Sequence, residues 1–171
     1  MDSVKTTLMK NLVLKIMKYK LIISDYGETL VNTGEDAKQA NLDAIRTFQN
    51  QGGIFSIATG REWPSIKRKI NKWNLKEFQS IPIICCYGSL IILSDSNQII
   101  CDNPIELSFV KELVGMLSTN DIPHALVTRN ETLVKLHTDI SKYSWKQYGN
   151  QKKFNTGNEI FEYLNIHKDK V

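Results

Sequence analysis

The sequence predicts an α/β fold in which a parallel sheet is flanked by helices. Short apolar runs typical of buried strands alternate with segments whose apolar residues recur at helical spacing. This alternation favours parallel strands joined by right-handed crossovers. The chain has 171 residues, of which 42% are hydrophobic and 23% charged, enough for one domain with a substantial core.

Composition excludes several classes of protein. The 22 basic and 18 acidic residues leave a net charge of +4, which is too small and too scattered to predict a nucleic-acid-binding protein. No apolar run reaches the roughly 20 residues that span a bilayer. The three cysteines, Cys85, Cys86 and Cys101, include a vicinal pair and show neither disulfide nor zinc spacing. We therefore expect a cytoplasmic protein.

The first half of the chain is predicted to form three strands and two helices. The first strand ends at Asp25, and Asp36 is expected to cap a helix that Gly52 and Gly53 terminate. A second strand precedes Thr59, and Pro64 lies in the first turn of the second helix. The inward face of that helix comprises Ile66, Ile70 and Trp73. A third strand follows it, from Pro82 to Cys86.

The second half has a different pattern. A hairpin is expected around 94–97, and an amphipathic helix follows from Leu107 to about Asn120. Two strands are expected at 124–128 and 132–136, and a last helix begins at Gly157. The segment that holds Tyr143, Trp145 and Tyr148 is polar and receives no assignment.

Two of the predicted strands end in residues suited to phosphoryl chemistry. Asp25 and Thr59 follow neighbouring parallel strands, so we expect them to lie side by side. An aspartate can attack phosphorus and form an acyl phosphate, provided that a cation such as Mg²⁺ offsets the repulsion between two anions. The Thr59 hydroxyl, together with the backbone N–H groups of Thr59, Gly60 and Arg61, could form an anion cradle. The Arg61 side chain either adds a cation to this cradle or pairs with an acid.

These segments resemble motifs of the haloacid-dehalogenase-like (HAD) phosphohydrolases. Residues 21–30 are similar to the family's first motif, a hydrophobic strand followed by D-x-D-G-T-L, but Gly27 and Glu28 replace its second aspartate and its glycine. Ile57 to Arg61 resembles the T-G-R form of the second motif, which is typical of the type-IIB, Cof-like branch. Ile83 to Ser89 is similar to that branch's I-x-x-N-G-A strand, with Tyr87 in place of the asparagine.

The resemblance implies a Rossmann-like HAD core with a small α+β cap. It also implies that the chain is a Mg²⁺-dependent phosphatase. Asp25 would be the nucleophile and a Mg²⁺ ligand, and Thr59 would bind the transferring phosphoryl group. Gly27 would keep the backbone carbonyl that ligates the metal but would lack the carboxylate that acts as general acid and base; Glu28 is a possible substitute. The implied substrate is a small phosphorylated metabolite, such as a sugar phosphate, hydrolysed through an aspartyl-phosphate.

Other family features are absent. Thr156 stands where the phosphate-binding lysine is expected, and Lys152 and Lys153 are out of register. The acidic fourth motif would follow a strand that begins near Val171, so the C-terminal part of the core is predicted to be truncated. The alternative to a phosphatase is therefore a non-catalytic phosphate-binding or regulatory remnant of a HAD protein.

The domain organisation follows from the same comparison. We expect an N-terminal extension over 1–16, the N-terminal part of the core over 17–105, a short cap over 106–154 and an incomplete return to the core over 155–171. An unfinished sheet edge after the last helix would favour pairing with a second copy of the chain, as a homodimer.

Overall fold

A computed structural model describes residues 18–32, 36–73, 81–135 and 150–167. The strands are β1 (Leu21–Asp25), β2 (Ile54–Ala58), β3 (Pro82–Cys85), β4 (Leu90–Leu93), β5 (Ile99–Asp102), β6 (Ala125–Val127), β7 (Thr132–Lys135) and β8 (Gln151–Phe154). The helices are α1 (Gln39–Asn50), α2 (Trp63–Trp73), α3 (Leu107–Thr119) and α4 (Gly157–Ile166). A 3-10 turn, Cys86–Gly88, follows β3.

The larger sheet has five strands in the order β1-β2-β3-β4-β5. The first three are parallel, with α1 and α2 as crossovers, and β4 and β5 continue the sheet as an antiparallel hairpin. Parallel pairing requires a crossover between consecutive strands, whereas antiparallel strands can be joined by a short turn. The mixed α/β class predicted from the sequence is confirmed.

The main hydrophobic core lies between this sheet and the two crossover helices. Strand residues Ile57 and Ile83 are fully buried, and α2 contributes Ile66, Ile70 and Trp73, the inward face that its spacing predicted. The Trp73 ring stacks on Tyr26, with 5.9 Å between ring centroids. Helix α1 ends at Asn50, and Gly52 follows in the left-handed region with a φ of 89°, as the glycine pair predicted.

The prediction that Asp36 caps α1 is wrong. The helix begins at Gln39, and Lys38 is its N-cap without a side-chain hydrogen bond. Asp36 forms ion pairs with Lys69 and Lys72 on α2 instead. Hydrogen bonds from Lys72 and then Lys69 lower the pKa of its carboxyl from 3.8 to about 2. Because Asp36 precedes the N-cap by two residues, the lysines of the neighbouring helix compete successfully for its carboxylate.

The smaller sheet has three strands in the order β6-β7-β8, and α3 and α4 pack against it. Its core comprises Leu133, Phe154, Ile160 and Leu164. Strand β8 was not predicted, because Q-K-K-F has neither β-branched residues nor a clear alternation of apolar and polar positions. It forms because it pairs in parallel with β7, so that Thr132 lies opposite Gln151 and Lys135 lies opposite Phe154.

Several sequence predictions fall outside the described residues. They concern the N-terminal extension over 1–16, the aromatic segment around 143–148 and the region next to Val171. The assignment of domain boundaries also stays a prediction. Within the described parts of the chain, no helix is both long and apolar enough to cross a membrane.

Candidate functional site

The structure brings Asp25 and Thr59 to the same edge of the five-stranded sheet. Asp25 is the last residue of β1 and pairs in register with Ala58, the last residue of β2. Thr59 follows directly, and its N–H donates to the Ile84 carbonyl oxygen of β3 at 2.9 Å. The carboxyl ends of three parallel strands therefore meet at one edge, which is where open α/β sheets place their ligand sites.

Asp25 is oriented by the turn that follows it. The Thr29 hydroxyl donates to Asp25 Oδ2 at 3.3 Å, while the Val31 N–H donates to the Tyr26 carbonyl oxygen at 3.0 Å and closes the turn. The Asp25 side chain is exposed, whereas Tyr26 is buried. The carboxylate thus faces solvent from a turn fixed by the core, with one of its oxygens engaged by Thr29.

The same turn explains part of the altered first motif. Glu28 has a φ of 57°, a left-handed conformation that suits glycine and is unfavourable for a residue with a Cβ. Gly27, in contrast, is not among the positive-φ glycines, and a Cβ added there would meet no atom within 4 Å. The chain therefore has its glycine at the position that does not need one.

Around Thr59, two of the three predicted cradle amides are used within the protein. The Arg61 N–H donates to Thr59 Oγ1 at 3.2 Å, and the Thr59 N–H is part of the sheet. Since Oγ1 accepts from Arg61, the hydroxyl proton can point outward towards an anion. The Arg61 guanidinium lies 5.3 Å from the centre of the Tyr26 ring, next to the Asp25 turn. The hydroxyl of Thr59, the amide of Gly60 and the charge of Arg61 are the groups at this edge whose chemistry suits an anion.

A complete metal site is not assembled within the described residues. No group of three His, Cys, Asp or Glu side chains lies close enough to hold a metal ion there. The Asp25 carboxylate and the Gly27 carbonyl are oxygen donors of the kind that Mg²⁺ prefers, and Mg²⁺ commonly retains several waters and binds through one or two carboxylates and substrate phosphates. The donor set is therefore compatible with Mg²⁺ held jointly by the protein and a phosphate.

The position expected for a phosphate-binding lysine has a structural role instead. Thr156 is the N-cap of α4 and accepts from the Glu159 N–H at 3.2 Å, while Glu159 Oε2 accepts from the Asn155 N–H at 3.0 Å. The arrangement resembles a capping box, except that the Glu159 carboxylate accepts from the residue before the N-cap and not from the N-cap itself. Lys152 lies 3.9 Å from the centre of the Tyr163 ring. A cleft of about 410 Å³ at the N-terminus of α4 is lined by Lys135 and Thr156, among other residues. Neither Asp25 nor Thr59 lines it.

Glu62 joins the two sheets and was missed by the sequence analysis. It is fully buried, and its Oε1 accepts from the Asn150 N–H at 3.1 Å and from the Ser65 hydroxyl. Its other oxygen has no hydrogen bond to the described residues. Next to it, the Trp63 N–H donates to the Arg129 carbonyl oxygen at 3.3 Å. These contacts hold the residues around β6, β7 and β8 close to the loop after Thr59. The sequence indicated a role for Glu62 only through its position directly after T-G-R.

The vicinal cysteines are not suited to nucleophilic chemistry. Burial raises the pKa of Cys85 to about 12 and that of Cys86 to about 11, so both remain thiols at neutral pH. The Cys86 thiol donates to the Thr128 carbonyl oxygen at 3.4 Å, another contact between the two sheets. These cysteines therefore serve packing.

Comparison with known proteins agrees with this geometry. The family model of the haloacid dehalogenase-like hydrolases matches residues 22–170. No curated protein matches the chain. Among solved structures, a haloacid dehalogenase-like hydrolase from B. subtilis superposes with a TM-score of 0.69 at 16% identity, covering 84% of this chain and 56% of its own.

Two further structures have the same fold. A haloacid dehalogenase-like hydrolase from Bacteroides thetaiotaomicron is 24% identical, with a TM-score of 0.67 over 83% of this chain and 54% of its own. A HAD subclass IIB sugar phosphatase is 16% identical, with a TM-score of 0.66 over 84% of this chain and 55% of its own. The chain thus spans slightly more than half the length of these structures. By its sequence match and its fold, this chain belongs to the haloacid dehalogenase-like hydrolases.

Proposed function

We propose that this chain hydrolyses small phosphomonoesters, such as sugar phosphates, in a Mg²⁺-dependent reaction through an aspartyl-phosphate on Asp25. The observation that carries the proposal is the pairing of Asp25 with Ala58, which sets the carboxylate of β1 beside Thr59 at the end of β2. Nucleophile and phosphate-binding hydroxyl then approach the same phosphorus from adjacent strands. This arrangement favours splitting hydrolysis into two easier steps.

In the first step, Asp25 Oδ1 attacks phosphorus while Thr29 holds Oδ2. The Thr59 hydroxyl and the Gly60 N–H bind phosphoryl oxygens, and Arg61 adds positive charge to the site. The alcohol oxygen leaves with the electron pair of the P–O bond and takes its proton from water, because Gly27 carries no carboxyl group. In the second step, water attacks the phosphorus and the bond between phosphorus and the Asp25 oxygen breaks, which restores the carboxylate. The attacking water loses its proton to solvent, so inorganic phosphate is released and the proton taken up by the alcohol is balanced.

Mg²⁺, bound by the Asp25 carboxylate and the Gly27 carbonyl, would supply the positive charge that lets a carboxylate approach a phosphate. The protein's own part is to hold these two oxygens in a fixed turn. Binding through so few protein ligands makes the metal depend strongly on the substrate phosphate. We therefore expect Mg²⁺ and phosphomonoester to bind cooperatively.

A second candidate function is phosphate binding without turnover, in a regulatory role. Gly27 in place of an acid favours it, since a general acid and base assists the reaction more than it assists binding. Loss of general acid–base help typically lowers the rate by about 10²–10⁴. In this function Thr59, Gly60 and Arg61 would bind a phosphorylated ligand, and Asp25 would be dispensable.

The two candidates are separated by phosphate release from a phosphomonoester panel in the presence of Mg²⁺. We compare the parent chain with Asp25→Asn, which keeps the shape of the side chain, and with Thr59→Ala. A hydrolase loses turnover in Asp25→Asn and on chelation. Equal release by the parent and Asp25→Asn, together with phosphate binding that Thr59→Ala abolishes, would reject the hydrolase and favour the binding module.

We also propose a reducing, cytoplasmic location and self-association. The three free cysteines support the location. Within the described part of the chain, β1 pairs only with β2, and Leu21, Ile22 and Ile23 are 42–50% exposed. An apolar strand with an open edge can pair with a second copy. A molar mass by light scattering that stays at the monomer value as concentration rises would argue against a homodimer.

A further inference from the structure

Tyr87 is held in an unusual position at the end of β3. Its side chain is 73% exposed, although it follows a buried strand. It has φ 56° and ψ 27°, and the preceding Cys86 has φ 50°. Two consecutive non-glycine residues in the left-handed region are unfavourable, and such backbone persists only where the surroundings impose it. Here the Cys86 N–H donates to the Arg61 carbonyl oxygen at 3.0 Å.

This backbone places the Tyr87 ring directly over the candidate phosphate cradle. A Cβ added at Gly60 would lie 2.5 Å from Cζ and 2.6 Å from Cε1 of Tyr87. The Tyr87 N–H also donates to the Thr59 carbonyl oxygen at 3.3 Å. The phenolic end of the ring therefore rests against Gly60, and only a glycine at that position leaves space for it. The Tyr87 side chain as a whole remains largely open to solvent.

The distance to Asp25 suits a ligand that contacts both residues. Asp25, Ala58 and Ile84 are aligned across three neighbouring strands. With strands about 4.8 Å apart, the end of β3 lies about 10 Å from the end of β1. A phosphate bound between Asp25 and Thr59 would therefore direct its leaving group either towards Tyr87 or away into solvent. An exposed aromatic face next to a polar cradle is a common way to orient a bound ligand.

We propose that Tyr87 determines specificity by stacking on a ring in the leaving group, so that the preferred ligands are phosphomonoesters of ring-bearing alcohols. This inference rests on the proposed function. The face of a sugar ring and the face of an aromatic ring both offer a flat surface with C–H groups that packs on tyrosine. Acyclic phosphomonoesters have no such surface and depend on the cradle alone.

The test compares Tyr87→Asn with Tyr87→Phe. Asparagine removes the ring and tolerates a positive φ, whereas phenylalanine retains the ring and serves as the matched control. The panel contains a hexose 6-phosphate, 4-nitrophenyl phosphate, glycerol phosphate and inorganic phosphate. Thermal unfolding of each variant verifies that the fold is retained.

In Tyr87→Asn we expect KM for the two ring-bearing substrates to rise about threefold to tenfold, with kcat little changed. KM for glycerol phosphate and binding of inorganic phosphate should not change, and Tyr87→Phe should behave as the parent. A rise with the hexose phosphate alone or with the aryl phosphate alone identifies which ring is preferred. Equal changes for all four ligands, or no change for any, would overturn the inference.

The result can be separated from failure of the proposed function. If the parent releases no phosphate, binding of the same four ligands is measured by ligand-observed NMR. A loss of affinity in Tyr87→Asn that is restricted to ring-bearing ligands still supports the role of Tyr87, while turnover by Asp25 is rejected. Ring-bearing ligands that bind no better than inorganic phosphate in the parent would overturn the role of Tyr87 directly.

Discussion

Gly27→Asp would restore the carboxylate whose absence most limits the proposed reaction. The structure accepts this change, because a Cβ at position 27 meets no atom within 4 Å and the glycine does not use a positive φ. The substitution should stabilise the protein by about 0.4–1 kcal/mol, since it reduces the freedom of the unfolded chain. The fold is therefore expected to be retained, and any change in rate can be attributed to chemistry.

The expected gain in rate is large. A positioned general acid and base typically contributes about 10²–10⁴ in rate, which corresponds to about 3–5 kcal/mol of activation free energy. The alcohol oxygen that leaves from the Asp25-bound phosphorus would take its proton from the new carboxyl group. The water that attacks the acyl phosphate would give its proton to the same group.

The assay is phosphate release in the presence of Mg²⁺, with the panel used for Asp25→Asn. Gly27→Asn is the matched control, because it adds a side chain of the same shape that transfers no proton. The double variant Asp25→Asn, Gly27→Asp should be inactive if Asp25 is the nucleophile. If folded Gly27→Asp is no faster than Gly27→Asn, the reasoning is refuted, because the missing carboxylate would then not limit the reaction.

Three further predictions concern stability and reactivity. Glu28→Gly should raise the free energy of unfolding by about 0.5–1 kcal/mol. Glycine relieves about 1–2 kcal/mol of left-handed backbone strain, which exceeds the cost of the greater conformational entropy it gives the unfolded chain. An unchanged midpoint of denaturant unfolding would contradict this. With iodoacetamide on the native chain, exposed Cys101 should react rapidly and the two adjacent buried thiols slowly, as measured by mass spectrometry. The Asp36 carboxyl should titrate near pH 2 by NMR, and Lys72→Met should move its midpoint towards 3.8.

The sign of the Asp36 effect follows from its lowered pKa. Because the folded-state pKa lies below the ordinary value of 3.8, the ion pair contributes stability above about pH 4. That contribution is lost as the pH falls through about 2. Folding equilibria of the parent and Lys72→Met should therefore converge at low pH. A difference in stability that stays constant between pH 6 and about 2 would contradict this assignment.

Elements with a strong local pattern were predicted correctly. The apolar runs before Asp25 and Thr59 form β1 and β2, and the spacing of Ile66, Ile70 and Trp73 identified the buried face of α2. Predictions that depended on competition between partners failed. Asp36 had the sequence of a helix cap, but lysines 33 and 36 residues away hold its carboxylate.

Some features of the candidate site could likewise be predicted from the sequence, and others could not. The alternation of strands and helices was enough to place Asp25 and Thr59 at one sheet edge, because consecutive parallel strands end at the same side. The sequence also identified Gly27 and Thr156 as departures from the family motifs. It gave no indication that Glu28 would occupy the left-handed position of the turn, or that Glu62 would be buried between the two sheets.

By itself, the sequence determined the α/β class and the strand ends that carry Asp25 and Thr59, because periodicity and turn residues act over a few neighbouring positions. Its motifs also carried the resemblance to the family. Only the tertiary structure decided which distant groups meet. Glu62 contacts Asn150 across 88 residues, and the Tyr87 ring lies on Gly60. Such contacts depend on how the strands and helices pack, and local pattern carries no information about that packing.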